Sequence, residues 1–514
     1  MQMKPSTRII VNTGVMYGRM IITMVITLLS SRWILLALGQ EDFGIYSLVG
    51  GILTLLLFLN LTMSTATQRF LSFSMGKGDD VELRETFYFS TILHFAIGFI
   101  IVMLFEGIGN ILLSTVLQVP IGKESLAIFV LHCMAISVFA SVIMVPYQAC
   151  MISRENILFV AIIQVCEAVL KLIIAILLLD FAGNRLKAYA LAMMGIQFFL
   201  TMCYIVYCRK NYPETRYRIH KIENYSLLKE LSQYAGWNLI GSISSLLSTQ
   251  GISLLLNSFH GVIVNAAYGI AAQVKGQLSF FSTSIVTSSR PQIVKSEGEG
   301  NRMRVLSLSA STTKFSFLLV SLFAIPLIIE MNYVLTIWLK DVPMYTVDFT
   351  RLIVMTNLAY QLSLGITLPI ESTGDIKKLQ IYVGGLHFIV IPLGYLLLKL
   401  GLSPQSVLVM QFCEICLSSI VALFISREIA KLDMKYYVRK VIIPLLFTFI
   451  VVFALCYIPS ILMKESFVRL FISCSVSLIS LPLIAYIGVL DNNEKNIVKN
   501  IIDRIKKIKN NERV

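Results

Sequence analysis

Apolar residues run along this chain in stretches of about 20, broken by short polar segments. A stretch of that length crosses the roughly 30 Å hydrocarbon core of a bilayer as a helix. Fourteen stretches stand out, near residues 10–31, 44–65, 86–106, 124–147, 157–180, 187–208, 232–256, 261–287, 308–330, 349–370, 379–399, 404–425, 441–460 and 467–490. The second, seventh, eighth and tenth are less apolar and carry Gly, Ser, Asn and Gln. None shows the two-residue alternation of a barrel strand, and helices and closed barrels are the structures that satisfy their own backbone in lipid. The pattern predicts an all-α polytopic membrane protein.

Composition agrees. Of 514 residues, 56% are hydrophobic and 14% charged, with a mean hydropathy of +0.79; a soluble domain carries about 25% charged residues. The net charge of +14 would point to nucleic acid on a soluble protein, but its placement excludes that reading. Thirty of the 43 basic residues fall on the N-terminal stub, alternate loops and the C-terminal tail, nine on the opposite side, and Arg19, Lys171, Lys275 and Lys314 inside spans. By the positive-inside rule both termini are cytoplasmic, which an even number of spans requires. The basic start, Met1 to Arg8, has no small-residue cleavage site after it and reads as part of a retained first helix. Nine cysteines lie almost wholly in apolar stretches, with no disulfide, metal or cofactor pattern.

The chain carries a long internal repeat. Tyr46 in Phe43-Gly-Ile-Tyr46 corresponds to Tyr268, and Gln68-Arg69 followed by Gly76-Lys-Gly-Asp79 corresponds to Ser289-Arg290 followed by Gly298-Glu-Gly-Asn301. Pro146 and Arg154 correspond to Pro369 and Lys377. All these offsets lie between 221 and 223 residues. Six spans separate the copies, so both enter the membrane in the same direction. Parallel repeats of this kind place a substrate between the halves. The expected plan is two six-helix lobes around a central cleft, plus two extra helices. Residues 1–208 form an N-lobe, 209–231 a basic cytoplasmic linker, 232–425 a C-lobe and 426–490 the two extra spans. Residues 491–514 form a basic tail in which Ile497, Ile501, Ile505 and Ile508 mark an amphipathic helix on the anionic inner leaflet.

A charge at the bilayer centre costs at least about 2.5–3.5 kcal/mol, so each one needs a reason. Arg19 sits mid-span above Asn12, with Gly14 and Gly18 permitting close helix packing. Lys275 shares a helix face with Tyr268, Ser279 and Ser282, and Lys314 shares one with Ser307, Ser311 and Ser321. Arg19, Lys275 and Lys314 are therefore expected to line a cationic lumen that takes an anion, best a phosphate or pyrophosphate. Arg69 and Arg290, repeat-related at the cytoplasmic ends of their spans, are candidates for the cleft mouth. Glu167 and Lys171 are spaced to neutralise each other. Glu414 has no cation nearby in sequence; it and the Glu167–Lys171 pair are candidates for H⁺ or Na⁺ coupling. His94, His132 and His387 read as satisfied core histidines.

The ordered set Asn12-Thr13, Leu38-Gly-Gln-Glu-Asp-Phe-Gly-Ile-Tyr46, Gln68-Arg69, Val145-Pro-Tyr147, Ser153-Arg-Glu155, Ala267-Tyr-Gly-Ile-Ala271, Arg290-Pro291 and Ser372-Thr-Gly-Asp-Ile-Lys377 resembles the multidrug, oligosaccharidyl-lipid and polysaccharide exporter superfamily. Its nearest branch is the polysaccharide flippase of O-antigen type. That resemblance implies two lobes alternating between inward-open and outward-open states in a bacterial cytoplasmic membrane. It implies a polyprenyl (undecaprenyl) pyrophosphate-linked oligosaccharide as substrate, and polymerases and glycosyltransferases as partners. The acidic N-lobe residue common among cation-coupled drug exporters is missing from the first span, where Arg19 stands instead. A lipid II flippase and a multidrug antiporter are the alternatives. A membrane glycosyltransferase is disfavoured, because the longest outer loop, near Met331 to Phe349, is short and Glu41-Asp42 lies in a loop of about ten residues.

Overall fold

A computed structural model describes residues 5–115, 122–216, 225–496 and 499, and all regular structure among them is helical. In chain order the helices are α1 (Pro5–Lys77), α2 (Asp80–Thr115), α3 (Glu124–Ser153), α4 (Ile157–Leu177), α5 (Arg185–Asn211), α6 (Tyr225–Gly298), α7 (Arg302–Ile329) and α8 (Met331–Leu339). They continue with α9 (Thr346–Thr373), α10 (Lys377–Lys399), α11 (Gln405–Ile429), α12 (Met434–Tyr437), α13 (Ile443–Leu462) and α14 (Phe467–Gly488). Twelve segments among the described residues are long and apolar enough to cross a membrane. The parts of α1 and α6 beyond their kinks, which the sequence marks as the second and eighth spans, are also helical but are not among those twelve. The tail expected to be amphipathic lies almost wholly outside the described residues.

The repeat seen in the sequence is a repeat of chain path. Both long helices, α1 and α6, break at a glycine in positive φ, Gly39 (φ 76°) and Gly261 (φ 78°). Each then ends in the same cap. Gly78 and Gly300, both at φ 73°, occupy the left-handed position. The amide of Gly78 bonds Met75 O and that of Asp79 bonds Ser74 O, while the amides of Gly300 and Asn301 bond Glu297 O and Ser296 O. This is the paired closure that glycine permits after a helix. The next residue in each copy caps the following helix, with Asp79 Oδ1 accepting from the Glu82 amide (2.9 Å) and Asn301 Oδ1 from the Arg304 amide (3.1 Å). The Gly-x-Gly-Asp/Asn landmark is thus a stop signal and a start signal in succession. Pro146 and Pro369 lie inside the equivalent helices α3 and α9.

The described residues form two compact units, one within Val11–Leu239 and one from Ile240 onward that also takes the turns before Val11. The boundary falls inside α6, whose first turns pack on α1 of the first unit: Asn238 Nδ2 donates to Thr65 Oγ1 at 2.7 Å and to Thr62 O at 3.1 Å. In that unit Glu41 and Asp42 serve as counter-ions, lying 3.0 and 2.6 Å from the Lys123 ammonium. The hydrogen bond that Lys123 donates to Asp42, then that to Glu41, holds Lys123 above the usual lysine range.

In the second unit α13 and α14 pack on α7 around buried Val320, Ala324, Val452, Cys456 and Leu481. A buried ion pair anchors the start of α14. Glu330, just beyond α7, accepts from Arg469 Nη2 at 2.7 Å and Nε at 3.0 Å, and from Ser473 Oγ at 3.1 Å. Farther along α14, Ser477 Oγ donates to Leu322 O at 2.9 Å.

Candidate functional site

After the Gly261 kink, α6 carries Tyr268, Lys275, Ser279 and Ser282 along one face. In the second unit that face borders two adjoining cavities of about 190 Å³ and 170 Å³. Lys275, Thr249, Thr356 and Gln411 belong to the walls of both. Gln250, Ser253 and Tyr268 complete the first; Ser279, Asn357, Tyr360 and His387 add to the second. Hydroxyls and amides in the midst of apolar helices make a polar recess. Lys275 has no ion pair or hydrogen bond with any described residue. Asn357 Oδ1 accepts from Ser279 Oγ (3.2 Å) and Gln361 Nε2 (3.1 Å), which leaves its buried Nδ2 without an acceptor. Two donors therefore await an acceptor in one recess.

α10 and α11 also line the second cavity, through His387, Gln411 and Ile415. His387 Nδ1 lies 3.0 Å from Glu414 Oε1, and Ser418 Oγ donates to the same oxygen at 2.6 Å. Glu414 Oε2 is buried and has no hydrogen-bond partner. Glu414, expected alone, is thus paired across helices with a histidine expected to be core filling. The antiparallel hairpin of α10 and α11 brings His387 and Glu414 to within about one helical turn of the same height on either side of the Leu400–Pro404 turn.

Lys314 does not join this recess. Its ammonium lies 2.9 Å from Glu494 Oε2 and 3.9 Å from Asp491 Oδ2, with 7% of the side chain exposed. Ser311 Oγ, on the same polar stripe, donates to Glu494 Oε1 at 2.6 Å. The stripe expected to face a lumen instead receives a carboxylate from 180 residues downstream. Arg290 pairs with Glu371 at 2.9 Å. Its repeat partner Arg69 is buried, with its guanidinium 4.5 Å from the ring centroids of both Phe70 and Phe73 and 5.8 Å from that of Tyr234. Two residues after the helix proline stands Glu371 in one copy and Gln148 in the other.

In the first unit Arg19 is half-buried, and its Nη1 donates to Gln164 Oε1. Asn12 Nδ2 donates to Glu155 O at 3.3 Å. Glu167 and Lys171 pair at 2.6 Å in the i,i+4 geometry read from their spacing. Among the described residues no cluster of His, Cys, Asp or Glu has the form of a metal site. Of the candidates, Lys275 lines the second-unit recess, Glu414 pairs with His387 of its wall, and Arg19 bonds Gln164 in the first unit.

No protein-family model and no curated protein sequence matches the chain. Solved structures do. A MATE structure in the bent conformation superimposes with a TM-score of 0.72 at 14% identity, covering 83% of this chain and 96% of that one. An outward-facing multidrug resistance MATE family transporter of the MOP superfamily gives 0.71 at 14% identity, covering 84% and 96%. A MOP superfamily transporter from Pyrococcus furiosus, described as having a binding pocket of reversed polarity that suggests a different function, gives 0.69 at 13% identity, covering 84% and 96%. The chain is a multi-pass helical membrane protein. Its fold is that of the MATE transporters of the MOP superfamily.

Proposed function

We propose that this chain is a flippase that carries polyprenyl-pyrophosphate-linked oligosaccharide units from the cytoplasmic to the outer leaflet of a bacterial cytoplasmic membrane by alternating access, for surface polysaccharide synthesis. The observation that carries the reading is Lys275: a lysine with no counter-ion among the described residues, in a recess of hydroxyls and amides, with the Asn357 amide also lacking an acceptor. A pyrophosphate supplies acceptors for both. Arg19 adds a second cation in the other unit. In this reading the lobes are residues 1–208 and 232–425, the prenyl chain stays in lipid, and both termini are cytoplasmic. An inside-negative potential drives the anion outward, by about 2.3 kcal/mol per charge per 100 mV. Export of cationic drugs is the second reading, and the buried Glu414 carboxylate is what favours it.

The test uses cells that depend on this chain for surface glycan. Lys275→Ala and Arg19→Ala should each lower surface glycan at unchanged membrane levels of the protein, and the double variant should abolish it. Normal glycan in the double variant would overturn the proposal. Na⁺- or H⁺-dependent dye efflux that needs Glu414 and not Lys275 would establish the drug-export reading in its place.

A further inference from the structure

The recess holds more than a cation. His387 lines the second cavity together with Lys275; its Nδ1 is 3.0 Å from Glu414, and Glu414 keeps one buried oxygen with no partner. We infer that His387 and Glu414 form a proton-binding site that sets the affinity of the Lys275 recess for its anion, so that anion and proton bind together. The inference rests on the anion reading of the recess given above.

Charge bookkeeping gives the direction. With His387 neutral and Glu414 ionised the pair carries −1, and with Lys275 the recess is neutral overall. One proton taken up by the pair, written as imidazolium beside carboxylate or as imidazole beside carboxylic acid, brings the pair to zero and the recess to +1. The proton belongs to the pair and not to either residue. An anion therefore binds more tightly to the protonated recess, and by linkage a bound anion tightens the hold on the proton. Loss of that proton takes one positive charge from the recess, and the anion is then held less tightly. Release of the anion and release of the proton thus favour each other.

The groups that face the pair leave this sign unchanged. From α6 there is Lys275, and from α9 Tyr360, a neighbour whose hydroxyl is neutral across the physiological range. On α11 itself Cys416 lies two residues from Glu414 and Cys413 one residue before it; both are thiols with no disulfide. Arg290 and Glu371, both within electrostatic reach of Tyr360, pair with each other at 2.9 Å. Ser418 donates to Glu414 in either protonation state of the pair.

The experiment measures binding of farnesyl pyrophosphate to the purified full chain in lipid nanodiscs, by titration calorimetry between pH 5.5 and 8.5 in two buffers of different ionisation enthalpy. Glu414→Gln keeps the shape of the side chain and His387→Gln keeps a hydrogen-bonding group, and together they give the baseline for the ionisation of the probe itself. The wild type should lose affinity with rising pH by at least about fivefold more than either variant, within the span usual for coupled sites. It should also take up a fraction of a proton more per probe bound than the variants do. Identical pH profiles in wild type and both variants would overturn the inference. So would a Glu414-dependent response to Na⁺ at fixed pH with no proton uptake, which would make this a cation site. Lys275→Ala separates the two levels of the argument: if it binds the probe as the wild type does, the anion reading of the recess fails. If it loses binding while the pH profiles of the other variants match the wild type, only the proton linkage fails.

Discussion

Lys314 gives a direct way to separate a lysine that holds the fold from one that touches a substrate. Its ammonium and the Glu494 carboxylate are 2.9 Å apart, and their side chains are 7% and 4% exposed. Lys314→Met leaves a buried carboxylate without its cation, a change that costs about 3–5 kcal/mol in comparable buried pairs. Here the lower end applies, because Glu494 keeps Ser311 Oγ at 2.6 Å and the Asp491 amide at 2.9 Å. At about 2–4 °C per kcal/mol for a unit of 150–250 residues, the melting temperature in detergent should fall by about 6–12 °C. Lys314→Met with Glu494→Met removes both charges, and replacing a buried pair by apolar side chains is often neutral or stabilising. The reversed pair, Lys314→Glu with Glu494→Lys, should recover at least half of the loss. Both double variants should then recover surface glycan along with melting temperature, measured on the same cells. Recovered stability without recovered glycan would mean that the ammonium at 314 itself meets the substrate, and the structural assignment of Lys314 would be wrong.

Three further outcomes follow from the same geometry. Glu330→Gln strands Arg469, so it should lower the melting temperature more than Glu465→Gln, whose carboxylate is 3.8 Å from Arg469 and half-exposed; equal effects would remove the Glu330 anchor from the account. Gly261→Ala and Gly39→Ala place a Cβ at φ 78° and 76° with extended ψ, a region nearly confined to glycine, at about 1–3 kcal/mol each. Gly385→Ala, where a Cβ also meets nothing within 4 Å but the backbone is helical, should be neutral or slightly stabilising, and a matching loss there would refute backbone strain as the cause. Lys123 has a raised pKa, so its contribution to stability is complete below the ordinary lysine value near 10.4 and fades only as pH climbs through the higher folded value. The difference in melting temperature between wild type and Lys123→Met should therefore be the same at pH 6 and pH 9; a difference that disappears by pH 9 would contradict the assigned ion pair.

The helices and the repeat were legible in the sequence because both are carried by local signals. Apolar length makes a span, and a glycine followed by Asp79 or Asn301 closes one helix and opens the next using contacts within a few residues. Lys275 was legible for a similar reason, since its polar neighbours repeat on one helix face. Lys314 showed the same kind of stripe and was misread, because a polar stripe says only that a helix face avoids lipid. Whether water or a carboxylate lies opposite depends on Glu494, which packs there after the chain has passed through α14. Arg69 and Arg290 looked equivalent from their register, yet Arg290 pairs with Glu371 of α9 while the Arg69 guanidinium lies over the rings of Phe70, Phe73 and Tyr234. Periodicity along one helix does not report chemistry supplied by another.

The two copies also divide what they share from what they do not. The features that recur at an offset near 222 are those the chain path requires: the kinks at Gly39 and Gly261, the caps at Gly78 and Gly300, the N-caps Asp79 and Asn301, and the prolines of α3 and α9. Arg69 and Arg290 recur at the helix ends, but three charged groups within the spans do not. At the same register the counterpart of Lys275 is Leu53, that of Arg19 is Gly241 and, with the slightly shorter offset of α5 and α11, that of Glu414 is Met194. Residues needed only for folding are under the same backbone demand in both copies, since any substitution there meets the same positive φ or the same orphaned amide. A charge buried in a span has no such demand and is costly wherever it stands. Its presence in one copy alone therefore assigns it to something other than the shared fold, and among such residues Lys275 is the one whose charge no other described side chain has taken up.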